Sequence, residues 1–229
     1  MEAGVKIKNK GQARLFENPF LESLTKTRPW IIYSIYIPLC AAMLIYSYVS
    51  LGYSAGFITL HFFLAILFWT FFEYIAHRWI FHFHPEGSLG KRIVYIFHGN
   101  HHEYPRDTMR LFMPPVPSII LASVIFVLLS AIIWLVSALY SLTATGVLRG
   151  DFTYVFIFFP GFMIGYLAYV SMHYAIHAFA PPPGLKALWR NHHLHHYQDE
   201  ETGFGVSSSV WDHVFGTVPK RNTKASSGS

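Results

Sequence analysis

The sequence predicts an all-α integral membrane protein with four transmembrane helices and a cytosolic, helical cap rich in histidine. Three observations support this fold class. The chain is 53% hydrophobic and only 13% charged, whereas about 25% of residues are charged in ordinary soluble domains. Its apolar residues are gathered in long runs, as in membrane spans, and not spread in amphipathic stripes. Ten of the fourteen histidines stand in four short groups, each beside an apolar run.

The four apolar runs predict spans over residues 30–51, 57–76, 116–140 and 152–179, each long enough to cross a bilayer. The first 29 residues are polar and basic, with no apolar run at the start, so they do not form a cleavable signal peptide. We therefore expect three regions. They are an N-terminal cytosolic segment over 1–29, a four-span membrane domain with its cap over 30–218, and a flexible tail over 219–229, of which 224–229 is expected to be disordered.

The positive charges predict the orientation of the spans. Sixteen of the seventeen lysines and arginines lie in the N-terminal segment, in the central region from Arg78 to Arg110, or in the C-terminal segment. Only Arg149 lies elsewhere, as the positive-inside rule requires. Both termini and the cap are thus expected on the cytosolic side, of the endoplasmic reticulum membrane in a eukaryote or of the inner membrane in a bacterium.

The same composition excludes several classes of protein. The net charge of +5 is not arranged as the basic stripe with interleaved aromatic residues that marks a nucleic-acid binder, so we expect no nucleic-acid partner. The single cysteine, Cys40, excludes a disulfide framework and a cysteine-based metal site.

The histidine groups predict a site for two metal ions. Imidazole is the commonest metal ligand among side chains, and four crossings return all four groups to one face of the membrane. Ten imidazoles suit two ions at about five each, whereas structural zinc normally takes four ligands. The groups are His77-x4-His82, His98-x2-His101-His102, His173-x3-His177 and His192-x2-His195-His196.

The spacing within each group predicts how its rings point. Residues three or four apart share one face of a helix, so the second group, the third and the fourth are each expected to converge on one point. His77 and His82 are five apart, about 140° around an α-helix. Either the helix ends between them or each serves a different metal.

Other ionisable residues near the spans are given supporting roles. Glu73 lies one turn before His77 and is expected either to orient that ring, as carboxylates often do for metal-bound histidines, or to stay neutral and bonded within the bundle. His61 is expected to pack between helices. The remaining histidines, His84, His193 and His213, are expected to be surface or supporting residues and not ligands.

Two metals beside lipid-facing spans favour attack on an unactivated C–H bond. Such a reaction needs dioxygen, a redox metal and a dry site, and the spans can align an acyl chain. Hydrolysis would need only a metal-activated water and no membrane. A non-catalytic metal transporter is a more distant alternative, because it would place its polar residues along a path at mid-membrane.

Several longer motifs resemble the fatty acid hydroxylase superfamily, and most closely the fatty acid 2-hydroxylases. They include the run Trp69–Tyr74 that leads into the first histidine group, and the residues Pro105, Asp107, Arg110 and Pro114-Pro115 that follow the second. The third and fourth groups and the stretch Gly203–Ser207 with Trp211-Asp212 complete the resemblance, which covers about residues 65–218.

The resemblance implies the chemistry and its cofactors. The ten histidines would be the ligands of two iron ions, although a purified sample can carry zinc. The reaction would be an O2-dependent insertion of a hydroxyl group at C2, the α carbon, of a fatty acyl chain, free or within ceramide. A sterol or carotenoid hydroxylase or oxidase of the same superfamily is the nearest alternative.

One departure from many members concerns the electron donor. Residues 1–29 are too short for a cytochrome b5 domain and lack its His-Pro-Gly-Gly motif, so the chain resembles the stand-alone form. We expect electrons from a separate cytochrome b5-like or ferredoxin-like carrier, with the basic central loop around Lys91 and Arg92 as its docking site.

Overall fold

A computed structural model describes residues 6–220, and within them the fold is entirely helical. Nine α-helices are present in the described chain: α1 (Pro19–Ser23), α2 (Pro29–Val49), α3 (Ala55–Ile75), α4 (Ser88–Val94), α5 (Asn100–Glu103), α6 (Pro115–Thr145), α7 (Val155–Ala178), α8 (Lys186–Tyr197) and α9 (Val210–Phe215). Two π-helices, Ala76–Phe81 and Tyr95–Gly99, follow α3 and α4 directly. The predicted tail falls outside the described residues except for 219 and 220.

Four of these helices are long and apolar enough to cross a membrane: α2, α3 with its π-helical extension, α6 and α7. The prediction of an all-α, four-span protein is confirmed. Helix α6 runs to Thr145, five residues beyond the predicted end. It stops at Gly146, which adopts the left-handed conformation with a φ of 73°. The Gly146 N–H donates a hydrogen bond to the Leu142 carbonyl oxygen and so caps the end of the helix.

The central region that we predicted as a loop is largely helical. Helix α4, the second π-helix and α5 follow one another without a break from Ser88 to Glu103. This stretch contains no proline between Pro85 and Pro105, so nothing in it removes a backbone donor or breaks the helix.

The chain forms two compact units, which we call the span unit and the cap unit. The span unit comprises Leu24–Trp69 and Phe112–Leu167. Its helices α3 and α7 approach closely at Gly161, where a Cβ atom would lie 2.4 Å from the Phe62 carbonyl oxygen. Small residues allow such contacts between membrane helices. Helices α2 and α6 are joined by a hydrogen bond of 2.7 Å between the hydroxyl groups of Tyr36 and Ser118.

Helix α6 exposes most of its apolar side chains. Val116, Ile120 and Val127 are 65%, 61% and 63% exposed, and no charged residue lies between Pro115 and Thr145. Exposed apolar surface of this extent suits contact with lipid.

The cap unit comprises the residues up to Ser23, Thr70–Leu111 and the residues from Ala168 onwards. Its N-terminal segment is packed in place. The Lys8 N–H donates to the Glu103 carbonyl oxygen at 2.7 Å, the Ala13 N–H lies 3.3 Å from Asp107 Oδ2, and Leu15 is buried. The predicted boundaries 1–29, 30–218 and 219–229 stay a prediction.

Candidate metal centre

The cap unit brings the ten predicted histidines together in two groups of five. Within each group, the nitrogen atoms that could bind a metal all lie within 4.8 Å of one another. The first group is His77, His82, His98, His102 and His195, and the second group is His101, His173, His177, His192 and His196. Eight of the ten residues are buried, and His82 and His177 are partly buried.

Each His-x2-His-His motif divides its rings between the two groups. The outer pair of one motif, His98 and His102, lies in the first group, while His101 lies in the second. The other motif does the reverse, since His192 and His196 lie in the second group and His195 in the first.

The prediction that each motif converges on one point was therefore wrong. Residues four apart differ in direction by only about 40°, whereas neighbours in sequence differ by about 100°. In each motif the two histidines four apart therefore point to one group. The third histidine, which directly precedes one of them in sequence, points to the other group. For His173 and His177, which are also four apart, the prediction is correct, because both lie in the second group.

A π-helix explains how His77 and His82 reach the same group. The His82 N–H donates to the His77 carbonyl oxygen, five residues back, at 3.2 Å. This i→i+5 bonding widens the helical turn, so residues five apart come to lie on one face. We had expected either that the helix ends between His77 and His82 or that each serves a different metal. Both expectations were wrong, because the helix continues with a wider turn and both rings lie in the first group.

The second π-helix is stabilised by a side chain within the second histidine motif. Asn100 Nδ2 donates to the carbonyl oxygens of Tyr95 at 3.0 Å and Ile96 at 2.7 Å. The buried amide thus adds side-chain hydrogen bonds to two carbonyl groups of the wider turns, one of which, that of Tyr95, also accepts the Asn100 backbone N–H.

The spacing of the nitrogen atoms agrees with metal ligation. In the first group, His98 Nε2 lies 3.0 Å from His102 Nε2 and 3.2 Å from His77 Nε2. In the second group, His192 Nε2 lies 2.9 Å from His177 Nε2 and 3.1 Å from His196 Nε2. Two nitrogen ligands that each lie about 2.1 Å from a metal ion are about 3.0 Å from each other when their bonds to the metal are at right angles. In tetrahedral coordination they are about 3.4 Å apart.

Unpaired nitrogen atoms support the same conclusion. His101 Nε2 and His173 Nε2 are buried and have no hydrogen-bond partner in the described chain. A buried polar atom without a partner is costly, and a metal ion in the second group would remove that cost. The donor sets of both groups thus fit metal ions that take more than four ligands.

Burial keeps these rings neutral, as metal binding requires. Burial, together with the smaller effect of neighbouring imidazoles, lowers the pKa of His82 to about 2 and that of His102 to about 3. Burial and the same neighbours also hold the pKa of other rings well below the ordinary value: His98, His101, His192, His195 and His196. A neutral imidazole offers its nitrogen lone pair to a metal.

A short loop after α8 orients two rings of the first group. The His77 Nδ1 atom lies 2.6 Å from the Phe204 carbonyl oxygen, and His195 Nδ1 lies 2.7 Å from the Thr202 carbonyl oxygen. A bond at Nδ1 fixes the tautomer that leaves Nε2 to face the group.

Glu73 acts on this loop rather than taking the Nδ1 position of His77. Its Oε1 accepts hydrogen bonds from the Val206 N–H at 2.7 Å and the Ser207 N–H at 2.8 Å, and its Oε2 contacts Ser207 Oγ. Of the two roles that we expected for Glu73, direct orientation of the His77 ring at Nδ1 is taken by the Phe204 carbonyl.

Asp212 holds the other end of the same loop. Its two carboxylate oxygens accept hydrogen bonds from the Phe204 N–H at 3.0 Å and the Gly205 N–H at 2.9 Å. A Cβ atom on Gly205 would lie 2.1 Å from the Ser208 carbonyl oxygen, so only glycine fits. From the sequence we did not predict that this loop orients two of the histidines. The glycines of Gly203-Phe204-Gly205, close in sequence to Trp211-Asp212, were the feature that could have indicated a tightly held loop.

The remaining histidines lie outside both groups. His193 Nδ1 and His213 Nδ1 bond to the carbonyl oxygens of Trp189 and Ser209 on their own helices, and His84 is exposed. His61 packs edge-on against Tyr154, the residue directly before α7, with ring centroids 5.3 Å apart, which agrees with the packed, interhelical role that we expected.

The fold and the site together define a class: a four-span, all-helical membrane protein with two adjacent five-histidine sites. Residues 62–217 match the sequence model described as fatty acid hydroxylase. The chain belongs to the fatty acid hydroxylase family, and the predicted resemblance is confirmed.

Three relatives illustrate the similarity. A dihydroceramide fatty acyl 2-hydroxylase of Arabidopsis thaliana is 35% identical over 96% of this chain and 84% of its own length. A ceramide very long chain fatty acid hydroxylase of Saccharomyces cerevisiae is 34% identical over 91% of this chain and 50% of its own length. The mouse fatty acid 2-hydroxylase is 30% identical over 90% of this chain and 56% of its own length.

A solved structure shows the same fold. Full-length Scs7p, of which only the hydroxylase domain is visible, superposes with a TM-score of 0.78 at 32% identity. The match covers 91% of this chain and 73% of that one. The family places this chain among the oxidoreductases that act on lipids.

Proposed function

We propose that this protein is a membrane-bound, O2-dependent di-iron hydroxylase that inserts a hydroxyl group at C2 of fatty acyl chains, free or within ceramide. The observation that carries the proposal is the pair of five-imidazole groups in the cap unit. Two of the helices that contribute these rings are continuous with membrane spans. The relatives are named as fatty acyl 2-hydroxylases and ceramide hydroxylases, which supports the substrate class and the position of attack.

The ten histidines would hold two iron ions, one in each group. Iron suits imidazole ligands and, once bound, would supply the redox chemistry that activates O2 against an aliphatic C–H bond. The overall reaction consumes O2, two electrons and two protons, and it yields the 2-hydroxy acyl chain and water.

The protein itself orients the ligand rings and excludes water from them. Burial keeps water away from most of the ten rings, and the loop of residues 202–207 holds His77 and His195 from behind. A dry, rigid site limits the loss of reactive species to solvent.

Electrons would come from a separate cytochrome b5-like or ferredoxin-like carrier on the cytosolic side, where we also place both termini. Lys91 and Arg92 are exposed, but the Arg92 guanidinium also donates to the Leu15 carbonyl oxygen. Lys91→Gln tests donor docking without removing the contact between Arg92 and Leu15.

The test is expression of the full chain in a host that lacks 2-hydroxylated lipids, followed by mass spectrometry of the extracted lipids. We expect new 2-hydroxy acyl chains with the wild type, none with His101→Ala, and an unchanged level with His213→Ala, which lies outside both groups. Hydroxylated sterols or carotenoids without 2-hydroxy acyl chains would refute the substrate class and support the nearest alternative. Absence of any oxidised lipid, with both ions bound, would refute the hydroxylase itself.

A further inference from the structure

A polar cavity of about 250 Å³ lies in the cap unit beside the second histidine group. It is lined by Arg106, His193, Tyr197 and residues 176–180, which include His177. None of the lining residues is acidic. Because His177 also belongs to the second group, with its Nε2 atom 2.9 Å from His192 Nε2, the cavity shares a wall with that group.

The wall formed by α8 is held in place. His193 and Tyr197 are four residues apart and their rings are nearly parallel, with centroids 6.2 Å apart. His193 Nδ1 lies 2.6 Å from the Trp189 carbonyl oxygen, and the Tyr197 hydroxyl donates to Asn9 Oδ1 at 2.6 Å. The cavity is therefore a preformed feature of the cap unit.

Arg106 is the arginine of the described cap unit that has no partner there. The other five donate hydrogen bonds: Arg14, Arg78, Arg92, Arg110 and Arg190. Arg106 is exposed and makes no ion pair or side-chain hydrogen bond with residues 6–220. A guanidinium that lines a cavity without carboxylates provides a fork of donors that can bind a carboxylate through two hydrogen bonds.

The end of α7 gives the opposing electrostatic effect. A helix C-terminus carries about half a negative elementary charge, which disfavours an anion near residues 176–180. Arg106 carries a full positive charge, and the Phe179 carbonyl oxygen is already occupied by the Trp189 indole N–H at 3.0 Å. The cationic side chain outweighs the partial charge.

We infer that this cavity binds the carboxylate of a free long-chain fatty acid through Arg106, which makes Arg106 a determinant of substrate specificity. The inference rests on the proposed hydroxylation of fatty acyl chains and adds which form of the chain is accepted. In a fatty acid, C2 is bonded directly to the carboxyl carbon. An anchored carboxylate therefore leaves C2 as the first carbon beyond the anchor, at the wall that the cavity shares with the second histidine group.

Direct binding tests the inference without relying on turnover. Purified full-length protein in lipid nanodiscs is titrated at pH 9 with labelled hexadecanoic acid and, separately, with uncharged hexadecanamide. We expect the wild type to bind the acid at least tenfold more tightly than the amide. Arg106→Gln should weaken acid binding by about tenfold to a hundredfold, as loss of a hydrogen-bonded charge predicts, and leave amide binding unchanged.

The controls separate charge from folding. Arg149→Gln also removes one exposed positive charge but lies in the span unit, and we expect wild-type affinities. Arg106→Lys keeps the charge without the fork and should retain an intermediate preference for the acid. Equal affinity of the wild type for acid and amide, or an unchanged acid affinity in Arg106→Gln with normal metal content, would overturn the inference. If Arg106→Gln does not fold, the inference is tested by the ratio of acid affinity to amide affinity in the wild type and in Arg106→Lys.

Product analysis on the same samples distinguishes this inference from the proposed function. Acid binding that depends on Arg106, together with no 2-hydroxy product from metal-loaded protein, would support the cavity and refute the hydroxylase. If 2-hydroxy chains form but acid binding does not depend on Arg106, the inferred role of the cavity is refuted and the proposed hydroxylase activity is not.

Discussion

Glu73 shows how a buried carboxyl group inside an apolar run can act on the site through a neighbouring loop. An ionisable residue near a span is costly unless it is paired, and Glu73 is 3% exposed. Its carboxylate gathers the backbone of Val206 and Ser207, and the same loop gives the Phe204 carbonyl to His77. The carboxylate therefore positions a ring that it does not have to touch.

Replacing this carboxylate should weaken both the fold and the first metal group. Glu73→Gln replaces a carboxyl oxygen with an amide nitrogen, which cannot accept a hydrogen bond from Ser207, so we expect a loss of about 1–3 kcal/mol in the free energy of unfolding. The first group should then lose its ion before the second. Metal content after mild chelation and the thermal unfolding temperature measure both effects, with exposed Glu86→Gln as the matched control. Unchanged metal retention would contradict this role for Glu73.

The buried rings also predict how stability depends on pH when the metal has been removed. In the folded cap unit the pKa values of His98, His101, His192, His195 and His196 lie well below the ordinary value. Their unfolded-state pKa is about 6.5. Below that pH the unfolded chain binds more protons than the folded chain, so stability falls as pH falls.

Thermal unfolding of the chelated protein between pH 8 and pH 5 measures this dependence. We expect a nearly constant unfolding temperature above about pH 7 and a steady decrease below about pH 6.5. Metal-loaded protein should release its ions over the same acidic range, because protons compete for the ligand nitrogens. An unfolding temperature that rises on acidification would contradict the burial of neutral rings.

At the scale of single elements, the division of each His-x2-His-His motif between two groups makes a sharp prediction. His195→Ala should remove the ion of the first group, and His192→Ala should remove the ion of the second, although the two residues lie on one helix. His193→Ala, on the same helix but outside both groups, should keep both ions. Elemental analysis gives the number of ions, and anomalous scattering locates the one that remains. Loss of the same ion in both variants would refute the division.

The same elements show what the sequence could and could not predict. The four spans and the ten clustered histidines were predictable, because long apolar runs and repeated short motifs are local signals. The π-helix between His77 and His82 was not, because its hydrogen bonds depend on tertiary contacts that stabilise an unusual period. The assignment of His101 and His195 to opposite groups depends on how helices α5 and α8 face one another, which spacing within one motif does not determine.

At the scale of the whole molecule, the predicted topology can be tested with reporter fusions. Four spans and the charge distribution predict that both termini face the cytosol and that the connection between α6 and α7 faces the opposite side. A periplasmic-type phosphatase fused after Val147 should be active, and the same enzyme fused after Lys220 should be inactive. A green fluorescent protein at the second site should fluoresce. The reverse pattern of activity would refute the orientation.

The exchanged histidines have a consequence for assembly. Because each of the two motifs lends one ring to its neighbour's site, no single segment completes either coordination sphere. An ion bound in one site would order α5 and α8, which carry two of the five rings of the first group and three of the five rings of the second. Two further rings of each group lie at the end of a span. Metal uptake should therefore be cooperative, so that a limiting supply of metal yields a mixture of empty and fully loaded chains and few that carry one ion.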